Sequence, residues 1–402
     1  MRQTIRITSS AFLKFFTAET AGGILLLLCA ALALLLANSP LAARYEAALA
    51  LPVTLGTGTL SLTLPAEHWV NDGLMTLFFL TIGLEVKREF LYGELRTPTA
   101  MLLPVCAALA GMLVPALLFT LVNTGTATAG GWGIPMATDI AFALGVLRLV
   151  APRAPLGLVV FLTALAIVDD LGAIVVIALF YSSEISFAAL GLGLAALLLA
   201  ALLGRAAENH AQKKAARPPR RLLLLYLPLG LSAWLAFLSS GIHPTIAGVL
   251  LGFTLPAHHL PERSLLHAVE ERLEPLSSYL VMPLFALANA GIPLTHEGEL
   301  LLSPASPLTL GIAAGLVLGK PLGIYGSVRL LTHATGTPLP GGATPRQTLA
   351  AACLAGIGFT MSIFIATLAF ESPQTLATAK LSVLCASLLA VLLGTLVFRT
   401  AK

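Results

Sequence analysis

A procession of apolar runs, each near twenty residues long and parted by short polar segments, constrains this chain more than any other feature. A helix needs about 20 mostly apolar residues to cross a bilayer. Stretches of that kind lie near 12–37, 69–86, 98–122, 133–149, 155–181, 186–204, 222–239, 244–256, 276–292, 308–328, 348–369 and 376–398. In hydrocarbon every backbone N–H and C=O must be bonded within the protein, so runs of this length fold as helices. The expected fold is an all-α polytopic membrane protein, with about twelve transmembrane helices forming one transmembrane domain over residues 1–402. Composition agrees: 57% of residues are hydrophobic and 10% charged, where soluble domains carry about a quarter charged. A soluble multidomain protein could not hide that much apolar surface.

The charges have a place. A net charge of +4 invites a nucleic-acid reading, but the Lys and Arg form no basic patch interleaved with aromatics. They fall between the apolar runs. With a cytoplasmic N-terminus, 20 of the 23 Lys and Arg lie inside, only Arg44 lies outside, and Lys320 and Lys380 fall within spans. A wrong span count would spoil that positive-inside asymmetry. Both termini are therefore expected in the cytoplasm. Arg2, Arg6 and Lys14 before the apolar run 22–37 imitate a signal peptide; with so many comparable runs following, this segment is expected to stay as the first span. Cys29, Cys106, Cys353 and Cys385 all sit inside apolar runs and are expected to be small apolar side chains, not a disulfide framework.

Two kinds of loop stand out. Residues 53–64 alternate apolar and polar around Gly56-Thr57-Gly58, the period of a β-hairpin, and fall outside. The basic loop 205–221 and the loop 257–275 fall inside. The second holds His258, His259, Glu262, Arg263, His267, Glu270, Glu271, Arg272 and Glu274; its simplest reading is an interfacial helix with a wet face.

Ionisable groups at mid-depth carry the chemistry, because each costs about 2.5–3.5 kcal/mol to insert. Asp169 and Asp170 are adjacent near the centre of 155–181, Asp139 is near the middle of 133–149, and Lys320 near the middle of 308–328. Lys320 can neutralise one of these carboxylates as a buried pair, but not all three. Adjacent helical residues point about 100° apart, yet both aspartates can border one cavity. Hard carboxylate oxygens suit small hard cations, and two close carboxylates need a counter-charge, either protons or a metal ion. One set of atoms that takes either is what cation–proton exchange requires.

Two spans look broken. Gly133-Ile134-Pro135-Met136-Ala137-Thr138-Asp139 opens one, and Gly356-Ile357-Gly358-Phe359-Thr360-Met361-Ser362 interrupts another. Proline removes a donor and glycine loosens the helix, which is tolerated at depth only where the backbone lines a cavity. The breaks fall in the fourth and eleventh spans, within oppositely oriented triplets 3–5 and 10–12. That is an inverted repeat with its site at mid-membrane. Asp139 and Lys320 have the signs that would offset half-helix N- and C-termini meeting there.

Several segments then resemble the NhaA family of sodium/proton antiporters: Ala137-Thr138-Asp139-Ile140-Ala141-Phe142-Ala143-Leu144-Gly145, Ala166-Ile167-Val168-Asp169-Asp170-Leu171-Gly172, Leu318-Gly319-Lys320-Pro321-Leu322-Gly323 and Pro283-Leu284-Phe285-Ala286-Leu287-Ala288-Asn289-Ala290-Gly291. Asn71-Asp72-Gly73-Leu74-Met75 and Gly83-Leu84-Glu85-Val86-Lys87-Arg88-Glu89 match too, so the similarity runs through nearly the whole chain. The inverted repeat is itself a trait of that family, so the two observations are one. The resemblance implies Asp169 and Asp170 as the ion and proton site, holding Na+ or Li+, with Thr138 and Asp139 beside it and Lys320 as charge partner or proton carrier. It also implies a bacterial inner membrane and a homodimer built through the external hairpin. Asp72 is a further mid-membrane candidate. A pH-sensing cluster would fall on Glu85, Arg88, Glu89 and Glu270, with Glu271 and Glu274 where the family has histidines. His243 matches another family histidine, and is equally readable as an ordinary loop-edge residue.

Two competing readings are weighed. A sodium-coupled symporter of an organic solute would need a roomier site on the same fold. An intramembrane enzyme lacks its motifs: Asp169-Asp170 has no Asp-x-x-Asp continuation and no Gly-x-Gly-Asp occurs. No cofactor and no nucleic-acid partner is expected.

Overall fold

The computed structural model describes residues 21–400 except 59, 183, 215–219, 259–263 and 297–298. Arg2, Arg6, Lys14, Arg217, His259, Glu262, Arg263 and Lys402, and the start of the first expected span, lie outside the described residues. The rest is overwhelmingly helical and polytopic. The principal helices are α1 (Ala21–Ala37), then α2 (Met75–Tyr92), α3 (Pro98–Asn123), α4 (Ile140–Val150), α5 (Leu156–Phe180), α6 (Phe187–Lys214) and α7 (Leu223–Leu238). They continue with α8 (Thr245–Thr254), α9 (Leu265–Leu276), α10 (Met282–Asn289), α11 (Lys320–Thr335), α12 (Pro345–Leu354), α13 (Phe359–Ala369) and α14 (Pro373–Arg399).

Every expected span forms helix, interrupted at 137–139 in the fourth and at 357–358 in the eleventh. Among these residues, six helices are long and apolar enough to cross a membrane, and three bent pairs bring the total to nine. The remaining expected spans are the shorter α7 and α8 and the run that ends in α10. Two boundaries move. Residues 205–214, expected in a loop, continue α6 as far as Lys214, since Ala, Glu, Gln and Lys are good helix formers. Residues 265–276, expected to lie at the interface, form α9 and run on into the spanning segment without a break. Leu265 and Leu266 of α9 join a buried cluster with Leu84, Ala200, Leu222, Tyr226 and Leu255. That burial docks α9 on protein rather than on lipid.

The hairpin forms as read, one residue longer at each end. β1 (Pro52–Thr57) pairs antiparallel with β2 (Leu60–Pro65), Thr54 opposite Thr63. Gly58 supplies the positive φ of +59° that the turn needs. Val53 and Leu55 are exposed.

Contacts divide the chain into two compact units. One comprises residues 1–42, 98–173 and 289–402; the other comprises 43–97 and 174–288. The first holds both broken spans. A 3₁₀ segment (Ala129–Met136) meets α4 at a 46° bend, and α12 meets α13 at a 42° bend. The second packs α2 against α8 and α9. A Cβ on Gly252 of α8 would stand 3.0 Å from Gly83 backbone, so only a small residue permits that approach.

Among the described residues, three stretches of wider π-helix lie in the spans: Trp69–Leu74, Ser277–Val281 and Ala314–Gly319. Such bulges concentrate at functional sites. One contains Asp72, and another ends immediately before Lys320.

Candidate functional site

The two helix breaks of the first unit are bonded to each other. Residues 137–139 and 357–358 are not helical, and Asp139 N donates to Ile357 O at 2.7 Å. Gly356 lets the second break lie against the π segment Ala314–Gly319, because a Cβ there would run into the carbonyl oxygen of Leu316. Each break also satisfies the carbonyls stranded at the end of the other half-helix. Thr138 Oγ1 donates to Ala355 O at 2.9 Å, and Ser362 Oγ donates to Ile134 O at 2.7 Å.

Asp139 serves both half-helix N-termini. Its Oδ1 accepts from Phe142 N at 3.1 Å in α4, while Oδ2 accepts from Thr360 N at 3.2 Å and Thr360 Oγ1 at 2.5 Å in α13. A carboxylate is favoured there by the positive ends of two helix dipoles. Both its oxygens are thereby committed.

Beside the crossing lies the ion pair. Lys320 Nζ is 2.6 Å from Asp169 Oδ2 and donates to Thr138 Oγ1 at 2.9 Å. Lys320 and Asp169 are 0% exposed and Asp170 4%. Asp170 acts on the same ammonium electrostatically. The other oxygen of Asp169, Oδ1, is buried and receives no hydrogen bond. An ammonium is a monovalent cation held here by a carboxylate and a hydroxyl oxygen. A bare Na+ would ask for the same donors.

A second group lies in the other unit, where α9 packs on α2. Arg88 Nε is 2.8 Å from Glu270 Oε1, and its terminal nitrogen is 3.2 Å from Glu89 Oε1 and 3.7 Å from Glu85 Oε1. Glu274 is within electrostatic reach of Glu270, Arg88 and Glu271; burial, and then Glu270, push its carboxyl up to about 7. His243 stands apart from this group. Its Nε2 is 3.4 Å from Asp72 Oδ1 and its Nδ1 2.8 Å from Thr245 Oγ1, at the opposite end of α8 from the carbonyls of Phe253 and Leu255 that Lys87 binds.

The chain's sequence matches, over residues 13–398, the profile of the family described as Na+/H+ antiporter 1. The chain belongs to that family. It is 45% identical over 394 residues to Na(+)/H(+) antiporter NhaA 1 of Clostridium beijerinckii, covering 97% of this chain and 95% of that protein. It is also 45% identical over 384 residues to Na(+)/H(+) antiporter NhaA of Yersinia pseudotuberculosis, covering 95% and 94%. The NhaA resemblance read from the motifs thus holds over nearly the whole chain.

Within this family member, three polar residues of the first unit escaped the sequence reading as site residues. Thr360 and Ser362 lie in the quoted break motif, yet nothing in their spacing says that they bond Asp139 and Ile134. Ser387, which accepts from Phe359 N at 3.2 Å, looks like any serine of an apolar span. Lys380 was noted only as a span lysine; it is buried, with Nζ 3.3 Å from Asn289 Oδ1. In the second unit, His267 was read as one of several loop residues; it lies between Glu270 and Glu271.

Proposed function

We propose that this chain, an antiporter by family, exchanges Na+ or Li+ for protons at Asp169 and Asp170. One observation carries the assignment: a wholly buried ammonium, that of Lys320, held by Asp169 and Thr138 beside two joined helix breaks. When protons leave the pair, a Na+ binds the two carboxylates and the Thr138 hydroxyl, and Lys320 gives way. Asp139, expected among the ligands, has both oxygens bound to helix ends; in this reading it fixes the crossing and its field rather than touching the ion.

Charge accounting gives the stoichiometry. An empty site returning with two bare carboxylates would carry net negative charge through a low-dielectric interior, a costly step. Reprotonating both removes it, so two protons enter for each Na+ that leaves. The count is the same if Lys320 gives up the second proton. Such exchange is electrogenic. The organic-solute symporter finds no support in the relatives, both named as Na+/H+ antiporters. The remaining parts of the reading are a bacterial inner-membrane location with both termini inside, a role in sodium and pH homeostasis, activity graded by pH through the α2–α9 group, and a homodimer through β1 and β2. Two open strand edges and the exposed Val53 and Leu55 suit such a contact.

Proteoliposomes with an imposed sodium gradient and an internal pH dye test the exchange. The proposal expects a sodium-driven pH change that Asp169→Asn and Asp170→Asn each remove. Wild-type rates in both variants would refute the site.

A further inference from the structure

α13 begins without a cap of its own. Its N-cap position is Gly358, which has no side chain to offer, and a Cβ there would run into Ser362 Oγ. Helices commonly satisfy their first N–H groups with a Ser, Thr, Asp or Asn at this position, as α4 does with Asp139. At α13 the acceptors come from other segments. Asp139 Oδ2 accepts from Thr360 N at 3.2 Å, and Ser387 Oγ, from the middle of α14, accepts from Phe359 N at 3.2 Å. Ser387 and Phe359 are both buried. We propose that Ser387 is a positioning residue for the ion site: it holds the second helix break so that Thr138 presents its hydroxyl oxygen to the cation. The proposal rests on the site assignment above.

The link runs through a short piece of chain. Residues 355–359 join α12 to α13, and Ser387 fixes the far end of that join through Phe359 N. Two carbonyls of the same piece set the first break: Ala355 O accepts from Thr138 Oγ1, and Ile357 O accepts from Asp139 N. With its proton given to Ala355, the Thr138 hydroxyl turns a lone pair to Lys320 Nζ, the ammonium that stands where Na+ would bind. The rings of Phe142 and Phe359 meet edge to face with centroids 5.8 Å apart, which ties the first turns of α4 and α13 together. Without Ser387 Oγ, the Phe359 amide is a buried donor that has lost its acceptor, a costly state. The acceptor already at this helix end, Asp139 Oδ2, would then have to serve Phe359 as well as Thr360. That shifts Asp139, and Thr138 beside it, from the places that the ion needs.

The test measures sodium-driven and lithium-driven exchange by the full chain in proteoliposomes against cation concentration, with melting midpoints of the same preparations. Ser387→Ala should raise the Na+ concentration for half-maximal exchange roughly threefold to tenfold, the equilibrium worth of about one hydrogen bond, while the maximal rate changes little. The ratio of Li+ to Na+ half-saturation should move with it, because selectivity between like-charged ions depends on the geometry of the oxygens. Ser387→Thr, which keeps the hydroxyl, should restore the wild-type values, and Ser387→Cys, a weaker acceptor, should fall between. Ser382→Ala is the control on the same helix. It removes a buried hydroxyl that donates to Thr378 O and Thr309 Oγ1, so it should lower the melting midpoint without moving half-saturation. If Ser387→Ala and Ser387→Cys lower the melting midpoint alone, or match wild type throughout, Ser387 only supports the fold and the proposal is overturned while the site assignment stands. Wild-type half-saturation in Asp169→Asn and Asp170→Asn would overturn the site, and the proposal with it.

Discussion

Replacing Lys320 by Met removes one half of a fully buried ion pair and leaves the other half in place. Asp169 Oδ2 loses a donor at 2.6 Å, Thr138 Oγ1 loses one at 2.9 Å, and Asp169 Oδ1 already receives none. Stranding a buried charge in this way costs about 3–5 kcal/mol. Each kcal/mol moves the melting midpoint by about 2–4 °C in chains of 150–250 residues. In this longer chain the expected loss in sodium-free detergent solution is therefore about 3–10 °C at a fixed scan rate. The vacated volume also frees the oxygens that the ammonium held, so sodium should stabilise the variant more than the wild type. Saturation a hundredfold above Kd is worth about 2.7 kcal/mol, enough to restore much of the loss. The double variant Asp169→Asn with Lys320→Met removes both charges and should melt above the single variant. The reasoning is refuted if Lys320→Met melts with wild type without sodium, or if the double variant is less stable than the single one.

Thr138→Val should raise the sodium concentration needed for half-maximal exchange, whereas Thr138→Ser, which keeps the hydroxyl, should stay close to wild type; equal behaviour of the two would remove Thr138 from the ion's shell. Asp139→Asn should lower the melting midpoint more than Thr360→Val, because the first weakens caps on two half-helices and the second removes one hydrogen bond worth about 1 kcal/mol; the reverse order would contradict the capping role. Glu274 should make the protein less stable as pH rises. Its folded value of about 7 lies above the ordinary 4.5, so the unfolded chain holds fewer protons in that window, and stability falls from about pH 4.5 to about pH 7 and then levels. Melting curves of Glu274→Gln should lose that share of the slope.

Much of this was legible in the sequence, for reasons that differ by residue. Hydrocarbon forces every span into a helix, so apolar length alone located them. Asp169, Asp170 and Lys320 announced themselves by the cost of burying charge, and Pro135, Gly356 and Gly358 by what they do to a helix. The partners of those groups were not legible. Thr360, Ser362 and Ser387 act through bonds between segments more than twenty residues apart, and a hydroxyl in an apolar span is cheap enough to occur without a role. The π segment before Lys320 has no compositional mark, because a change of hydrogen-bond register leaves the apolar pattern intact. The packing of α9 on protein was not legible, because its charged side is all that an interfacial helix would show. Only the burial of Leu265, Leu266 and Glu270 against α2 and its neighbours reveals protein on the other side.

The most direct test of the central claim is a sodium flux with no pH gradient. Vesicles holding the reconstituted protein are clamped at equal pH on both faces, and a potassium–valinomycin potential is imposed. Two protons for each Na+ move one net charge per cycle, worth about 2.3 kcal/mol per 100 mV. A potential negative on the side that sodium leaves should therefore drive sodium out, and reversing the potential should reverse the flux. Sodium movement indifferent to the potential would mean one-for-one exchange, and would contradict the claim that Asp169 and Asp170, or Asp170 with Lys320, release two protons for each ion bound.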